Sequence, residues 1–336
     1  KECEAVRDSL GLLDLSTFAK FEISGEDSQG FLDRLCANRI PKNNGSIILT
    51  HMLNEQGRIQ SELTITRFPD NIFYVLSSTA SELRDFDWFV SHKQKDEKVV
   101  INNITNNYGV LVLAGPQSRA VLSQLTSTDL SNENFSWLKG KEILINEIPV
   151  KALRINYVGE LGWELHHPMN KMNKLYESLI EIGKQHNIVN FGTYAVNSLR
   201  IEKAYKSWGS ELTGEITLVE ADMHRFFNLQ KKSNFIGAKA LKEKLEKGIA
   251  IKIVYLEVEV EDADPMGNEP VYLNNKIVGV VTSGGYGFRV NKSLAFAYVE
   301  SDLVEQGTEF DIQIQGKKRK AIALKHMAYD QENIRL

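Results

Sequence analysis

Apolar residues recur at helical spacing in several parts of the first two thirds of the chain. Residues 31–36 carry such a stripe, which predicts an amphipathic helix. The stripe at 172–182 predicts a second helix, which Gly183 ends. Residues 1–14 have the same spacing and are predicted to be helical, as are residues 83–90.

Strand patterns lie between these helices. Residues 47–53 and 59–68 are predicted to form strands joined by a turn at 54–57. The two faces of the second strand differ, because one carries isoleucine and leucine and the other is polar. The polar face predicts either a surface in contact with water or the wall of a hydrated site. Its side chains are Gln60, Glu62, Thr64 and Thr66.

The stretch 154–168 combines two extended runs with two glycines. Gly159 and Gly162 are free to adopt positive φ, so the pattern predicts a β-hairpin with a glycine turn. Such a hairpin brings the aromatic face of Tyr157 near the carboxylate of Glu164. That pair suits a flat, nitrogen-rich ring, because a carboxylate can accept two parallel hydrogen bonds from an amidine-like edge. Spacing alone favours the alternative of an ordinary surface hairpin, since hairpins often contain tyrosine and glutamate.

The pattern changes at about residue 251, after which the apolar runs alternate as strands do. A small β-barrel or sandwich is therefore predicted behind the lysine-rich stretch 239–247. The glycine-rich run 284–287 follows a strand but opens no helix, which predicts a turn and not a dinucleotide-binding loop. The basic run 317–320 is predicted to be a hairpin turn with solvated charges. Strands, helices and hairpins mixed before residue 251 indicate an α+β fold class.

Composition and charge narrow the classes of function. With 336 residues, 42% hydrophobic and 25% charged, the chain has the composition of a soluble globular protein of two or three domains. A net charge of −4 argues against a nucleic-acid partner, since phosphate recognition usually requires a basic domain. No apolar run is long enough for a membrane span, and no signal-peptide pattern opens the chain.

Cysteine and histidine usage bears on location and on metals. Two cysteines provide neither a disulfide framework nor a zinc pattern, so a cytoplasmic location is predicted. His166 and His167 point to opposite faces of a strand, and no metal site is predicted. The chain begins at Lys1 without a methionine, so we expect a processed or trimmed product that has lost an N-terminal segment.

A resemblance to a known family runs through most of the chain. The segment 157–164, Tyr-Val-Gly-Glu-Leu-Gly-Trp-Glu, is similar to the Tyr-x-Gly-Glu-x-Gly-aromatic-Glu signature of the glycine-cleavage T-protein (aminomethyltransferase) superfamily. Residues 197–203 and 208–213 resemble the folate-domain half of dimethylglycine and sarcosine dehydrogenases. Ordered matches extend from Val6 to Val299.

The resemblance implies a fold and an activity. The fold is a T-protein-like, multi-lobed folate-binding domain of two α+β lobes at 1–245, followed by a small C-terminal β-barrel domain at 246–336. The activity is tetrahydrofolate-dependent transfer of a one-carbon unit from an aminomethyl group, an iminium ion or formaldehyde, giving 5,10-methylenetetrahydrofolate. The chain would be the folate part of a dimethylglycine/sarcosine dehydrogenase-like system. Its partners would be folate, a small amine-derived donor and an FAD-dependent amine dehydrogenase domain or subunit, because FAD is expected only in a missing domain or a partner.

The resemblance also assigns site residues. The superfamily places a catalytic carboxylate on the strand after an Asn-Glu-x-Gly turn, which maps onto Glu62. Many relatives have aspartate there, and the extra methylene shifts the carboxylate by about an ångström, a displacement that can cost on the order of 100-fold in rate. The alternative for Glu62 is a solvated glutamate on a polar strand face. Folate contacts map onto Tyr157 and Glu164, with Tyr205 and Asn54 as further positions; a core position is the alternative for Tyr205.

Other interpretations remain open at this stage. The chain could be a folate-binding module without catalysis. The reason for this alternative is that residue 62 is glutamate where many relatives have aspartate. It could also be a stand-alone aminomethyltransferase of the glycine cleavage type, or a sulfonium demethylase. Arg200 and Glu202 are expected to form structural ion pairs, not ligand contacts.

Overall fold

Seven helices and seventeen strands make up the protein, whose computed structural model describes all residues, Lys1–Leu336. The helices are α1 (Glu2–Asp8), α2 (Ser28–Leu35), α3 (Glu82–His92), α4 (Ser118–Leu122), α5 (Met172–Gly183), α6 (Thr193–Glu202) and α7 (Ala238–Lys247). The strands are β1 (Gly11–Asp14), β2 (Ala19–Ser24), β3 (Ile47–Leu53), β4 (Ile59–Phe68), β5 (Ile72–Ser77), β6 (Val100–Asn103), β7 (Tyr108–Ala114), β8 (Gly140–Ile145), β9 (Ile148–Leu153), β10 (Gly162–Pro168), β11 (Val189–Asn190), β12 (Ile251–Val258), β13 (Pro270–Leu273), β14 (Lys276–Gly287), β15 (Lys292–Glu300), β16 (Glu309–Ile314) and β17 (Lys317–Leu324). The α+β class is confirmed.

One sheet contains five strands in the order β3-β4-β5-β2-β6. Its apolar face packs against α2 and α3, and Phe21, Phe31 and Phe89 are fully buried there. The strands β3 and β4 have the bounds that the alternation predicts, because one apolar face per strand fixes the register of a half-buried sheet. The opposite face is the polar face of β4, and it is turned toward the rest of the molecule.

A second sheet contains six strands in the order β11-β1-β7-β10-β9-β8. One face packs on α4 and α5 around the fully buried Trp163. The other face meets the polar face of the first sheet, where the hydroxyl of Tyr74 and Nδ1 of His166 lie 3.1 Å apart. Ile47 of the first sheet and Leu153 of the second belong to one apolar cluster. The two sheets therefore hold each other face to face, with polar side chains between them.

The last third of the chain forms a closed barrel of six strands in the order β12-β15-β14-β13-β16-β17. The predicted C-terminal β-barrel is thereby confirmed. Helix α6 lies against β14, since Asn197 Nδ2 donates to Gly284 O at 3.1 Å and the Ser198 hydroxyl donates to Tyr286 O. The division between residues 245 and 246 falls within α7 and stays a prediction.

The prediction of one helix over residues 1–14 was wrong. Helix α1 ends at Asp8, and Gly11–Asp14 form β1. This strand pairs antiparallel with β7 and parallel with β11, which places Leu12 in the core of the second sheet. Spacings of three and four residues hide this change, because the pairing partners are far away in the sequence.

The prediction of a strand at the start of the stretch 154–168 was wrong, and Gly162 begins β10 instead of lying in the turn. The strand that pairs with β10 is β9, and residues 154–161 form the loop between them. The loop is held by Asn156, whose Oδ1 accepts the backbone N–H groups of Val158 at 3.0 Å and Gly159 at 3.2 Å. Such an asparagine turn competes with strand pairing, so Tyr157 lies on a loop and not on a strand.

Two predicted turns in the barrel are strands. Residues 284–287 end β14 and pair with β15. Glycine is needed there because a Cβ on Gly284 would lie 2.3 Å from Pro265 O, so the run reflects close packing. The basic run 317–320 begins β17, and the turn before it lies at 315–316.

Candidate functional site

Glu62 lies on the polar face of β4, opposite His51. The loop 154–161 contacts the segment 205–211 through Tyr157. We call the polar face of β4, this loop and this segment the central junction. The Glu62 side chain is 22% exposed, so the carboxylate is partly desolvated and still open to a small molecule. His51 of β3 lies directly opposite in the sheet and is fully buried, with Nε2 3.5 Å from Glu62 Oε1. A carboxylate in this position can accept a proton or stabilise a nearby cation.

Tyr157 and Tyr205 form a stacked pair at the central junction. Their ring centroids are 5.8 Å apart and the rings are inclined by 27°. The Tyr157 hydroxyl donates to Lys206 O at 2.5 Å, which fixes the ring, and 37% of the residue remains exposed. Two tyrosines that the resemblance assigns to folate are thus brought together, and the pair offers an aromatic surface to a flat ligand.

Several charged side chains influence the pKa of Tyr157. Burial raises the pKa of Tyr157 above its usual value; Arg200 opposes this shift, while the carboxylates of Glu62 and Glu211 add to it. Burial also raises the pKa of Tyr205 to about 12. Both phenols are therefore neutral at physiological pH, and they can supply aromatic surface but not a general base.

The Gly-Glu-x-Gly part of the signature fixes the loop that carries Tyr157. Gly159 has a φ of 75°, a left-handed conformation that favours glycine. The buried Glu160 accepts hydrogen bonds from Tyr329 at 2.6 Å, Arg335 at 3.1 Å and Arg7 at 3.2 Å. Burial raises the pKa of Glu160, and these three partners lower it in part. The first glutamate of the signature is therefore an anchor inside the protein.

A second buried anchor holds the segment 205–211. Arg200 of α6 donates to Glu211 Oε2 at 3.0 Å and to Tyr205 O at 3.0 Å. Glu211 Oε1 accepts the hydroxyls of Ser283 at 2.6 Å and Thr282 at 2.7 Å, both on β14 of the barrel. The expected structural ion pair at Arg200 is thus present, and it connects the stacked tyrosines to the barrel.

Glu164 lies on β10, on the face that meets the first sheet. Its side chain is 12% exposed, and Oε2 is 3.3 Å from His166 Nε2. The other nitrogen of that ring faces the hydroxyl of Tyr74 at 3.1 Å. No hydrogen bond joins Glu164 to Tyr157, whose hydroxyl is bound to Lys206 O. The two residues of the signature thus have different neighbours.

Asn54 differs from the other predicted site residues because its side chain binds the backbone of the turn between β3 and β4. Its side-chain oxygen accepts the backbone N–H groups of Gln56 and Arg58, both at 3.0 Å. These bonds close the turn between β3 and β4, and they orient the start of the strand that carries Glu62. A folate contact for Asn54 stays a prediction.

Sequence reasoning missed three residues that shape this region. His51, Glu160 and Glu211 were not singled out, although each is fully or almost fully buried. Glu160 and Glu211 lie inside the motifs that carry the family resemblance. An acidic residue close to a glycine was therefore the available signal. His51 had none, because its partner Glu62 is on another strand.

The adjacent histidines of β10 do not converge on one point. His166 and His167 lie on opposite faces of β10, with His166 toward Tyr74 and His167 beside Gly109. No group of three His, Cys, Asp or Glu side chains is arranged to hold a metal ion. None of the helices is long and apolar enough to cross a membrane.

Two family models match this chain, one in its N-terminal part and one in its C-terminal barrel. Residues 1–231 match the family described as GCVT N-terminal domain, and residues 252–330 match the glycine cleavage T-protein C-terminal barrel domain. The crystal structure of the glycine cleavage system aminomethyltransferase T from Bartonella henselae is similar, with a TM-score of 0.89 and 25% identity. The alignment covers 98% of this chain and 89% of that one.

Two kinds of relative are similar over nearly the whole chain. Dimethylglycine dehydrogenase, mitochondrial, is 43% identical in Rattus norvegicus and 42% identical in Homo sapiens, over 95% and 96% of this chain. The chain spans only 37% of the length of either of these relatives. Aminomethyltransferase from Thermoanaerobacter sp. strain X514 is 32% identical over 98% of this chain and 88% of its own length.

Proposed function

Because the chain belongs to the glycine cleavage T-protein family of folate-dependent aminomethyltransferases, we propose that it transfers a one-carbon unit to tetrahydrofolate and forms 5,10-methylenetetrahydrofolate. The donor is an iminium ion or formaldehyde, delivered by an FAD-dependent amine dehydrogenase domain or subunit of the dimethylglycine or sarcosine type. The observation that supports this proposal is the stacked Tyr157–Tyr205 pair, because both tyrosines are positions that the family resemblance assigns to folate.

Tyr157, Tyr205 and Glu164 carry groups that can bind a pterin ring. The exposed side of the Tyr157 ring offers a stacking surface, and Tyr205 supports it from the other side. The carboxylate of Glu164 has His166 as its hydrogen-bond partner. It can also accept paired hydrogen bonds from the amino-pyrimidine edge of the ring.

Glu62 has the role of proton acceptor and electrostatic partner. Tetrahydrofolate, when bound, supplies two nucleophilic nitrogens. The reaction moves their two N–H protons to the departing amine, or to the oxygen of formaldehyde, which leaves as water. Glu62 accepts and returns these protons and stabilises the cationic donor, which contributes roughly 10²–10⁴-fold to the rate.

The ligand is tested by calorimetric titration with tetrahydrofolate and with folinic acid. Glu164→Ala should weaken binding about tenfold or more, since charge-assisted hydrogen bonds contribute about 1.5–3 kcal/mol. Glu133→Ala is the matched control, because this glutamate is exposed on a loop. Equal affinity of wild type and Glu164→Ala would refute the assignment of Glu164.

Catalysis is tested separately with Glu62→Gln. The rate of methylenetetrahydrofolate formation, after subtraction of the uncatalysed reaction with formaldehyde, should fall by roughly 10²–10⁴-fold. The affinity for tetrahydrofolate should stay within about twofold, because the amide has the same shape. A catalysed rate that does not depend on Glu62 would refute its catalytic role, and a wild type with no rate above the uncatalysed reaction would indicate a folate-binding module without catalysis.

A stand-alone aminomethyltransferase is the second candidate. It is supported by the similarity to the aminomethyltransferase of Thermoanaerobacter sp. strain X514, which is 32% identical over 98% of this chain. Assays with an aminomethyl-lipoyl carrier protein and with an amine dehydrogenase distinguish the two donors. A 5-methyltetrahydrofolate product would contradict both and indicate a sulfonium demethylase.

A further inference from the structure

His51 is a buried imidazole that lacks hydrogen-bond partners. It lies on β3 with its side chain fully buried, and neither Nδ1 nor Nε2 makes a hydrogen bond. The ring packs edge to face against Phe226, with centroids 6.2 Å apart and an interplanar angle of 77°. A buried polar group without a partner is costly, so its presence calls for a role.

The nearest charged group is the carboxylate of Glu62. His51 and Glu62 are directly opposite in the β3–β4 ladder, and Nε2 lies 3.5 Å from Oε1. This separation exceeds hydrogen-bond length, but a small rotation of the Glu62 side chain would close it. His51 cannot turn away, because it is enclosed in the protein, whereas Glu62 is 22% exposed and can move.

The length of the Glu62 side chain explains why a contact with His51 would matter for the position of the carboxylate. Glutamate has one more rotatable bond than aspartate, so its carboxylate is less defined in position unless another group holds it. A misplacement of about an ångström can cost on the order of 100-fold in rate. We propose that His51 is a positioning residue, whose Nε2–H donates to Glu62 Oε1 and thereby fixes the orientation of the second carboxylate oxygen. The proposal rests on the proposed function for its effect on rate, but not for the contact itself.

The kinetic test compares two substitutions. His51→Phe keeps the ring and removes both nitrogens, whereas His51→Gln keeps an N–H donor near the position of Nε2. We expect His51→Phe to lower kcat by about 10- to 100-fold and to change the affinity for tetrahydrofolate by less than about twofold. His51→Gln should recover most of kcat. His326→Phe is the control, because this histidine is exposed beyond the last barrel strand.

The contact is tested without any turnover by nitrogen-15 NMR of the histidine rings. In the wild type, the His51 Nε2 signal should show a protonated, hydrogen-bonded nitrogen, and it should shift in Glu62→Gln but not in Glu133→Gln. This comparison needs no substitution at His51, so it holds even where His51→Phe fails to fold.

The outcomes separate the two proposals. An unshifted His51 signal in Glu62→Gln overturns the contact, and an unchanged kcat in a folded His51→Phe variant overturns the positioning role. A wild type that forms no methylenetetrahydrofolate above the uncatalysed rate refutes the proposed function. In that case the NMR comparison alone decides whether the His51–Glu62 contact exists.

Discussion

Tyr157 combines two contacts whose contributions can be separated. Its hydroxyl donates to Lys206 O, and its ring stacks on Tyr205 and leaves 37% of the residue exposed. The hydroxyl therefore orients the ring from inside, while the ring surface faces the space available to a ligand. The proposal predicts that the ring, and not the hydroxyl, carries the affinity for folate.

We expect Tyr157→Ala to weaken tetrahydrofolate binding about tenfold, and Tyr157→Phe to weaken it by less than about threefold, because the second variant keeps the stacking surface. Tyr194→Ala is the matched control, since this tyrosine is 92% exposed on α6. Calorimetry measures all three. Equal losses in the two Tyr157 variants would show that the hydroxyl, and not the ring, is the important part.

Lys20 is a second residue whose environment leads to a test. It is fully buried on β2, and Nζ donates to Ser16 O and Phe18 O, each at 2.8 Å. No carboxylate contacts it, and burial lowers its pKa from 10.5 to about 8. Folding therefore disfavours the charged form of this lysine.

The contribution of Lys20 to the free energy of unfolding should rise between about pH 8 and pH 10.5. Between pH 8 and 10.5 the unfolded chain holds the Lys20 proton and the folded protein releases it, so the wild type gains stability by at most about 1.4 kcal/mol per pH unit. Urea unfolding of wild type and Lys20→Met, from pH 7.5 upward, isolates this contribution as the difference between the two. A difference that is constant with pH would contradict it.

Two glycines, Gly30 and Gly284, differ in the space around a Cβ atom added to them. Gly30 lies in α2, where a Cβ would meet no atom within 4 Å. Gly284 lies in β14, where a Cβ would lie 2.3 Å from Pro265 O, a backbone atom that cannot easily move. The first glycine weakens its helix, whereas the second permits the close approach of two segments.

Substitution by alanine should therefore have opposite effects at the two positions. Gly30→Ala should raise the free energy of unfolding by roughly 0.5–1 kcal/mol, because alanine loses less backbone entropy in a helix. Gly284→Ala should lower it by about 1–3 kcal/mol through overpacking. Chemical denaturation measures both, and destabilisation by Gly30→Ala would show that the helix position is crowded.

The units of the molecule are joined by buried ion pairs that converge on α6. Arg7 of α1 is buried and lies 2.7 Å from Glu202 of α6 and 3.2 Å from Glu160 of the loop. Lys203, which follows α6, donates to Asp330 beyond the barrel. The expected structural ion pair at Glu202 is thus present. The same helix connects the N-terminal helix, the Tyr157 loop and the last residues of the chain.

Removal of one charge from this network should destabilise the whole protein. Arg7→Met leaves the carboxylates of Glu160 and Glu202 buried without their common partner, which should cost about 3–5 kcal/mol in urea unfolding. Arg39→Met, at an exposed position, should change stability by less than about 0.5 kcal/mol. The double variant Arg7→Met/Glu202→Gln should recover part of the loss. Additive losses in the double variant would rule out direct coupling.

The sequence by itself determined the elements that have one apolar face and the motifs of the family. β3, β4, α2 and α5 follow from periodicity, because burial of one face fixes both the element and its register. The same alternation identified the polar face that carries Glu62, and the family resemblance proposed Tyr157 and Tyr205 as folate contacts.

Only the tertiary structure decided which of these residues meet. The strand β1, the loop at 154–161 and the glycines of β14 depend on partners far away in the sequence. His51 and Glu62 face each other only because β3 and β4 pair in one register, and Tyr157 stacks on Tyr205 because buried charges hold both segments in place. Local periodicity records which face of an element is buried, but the contacts of a site depend on how separate elements pack.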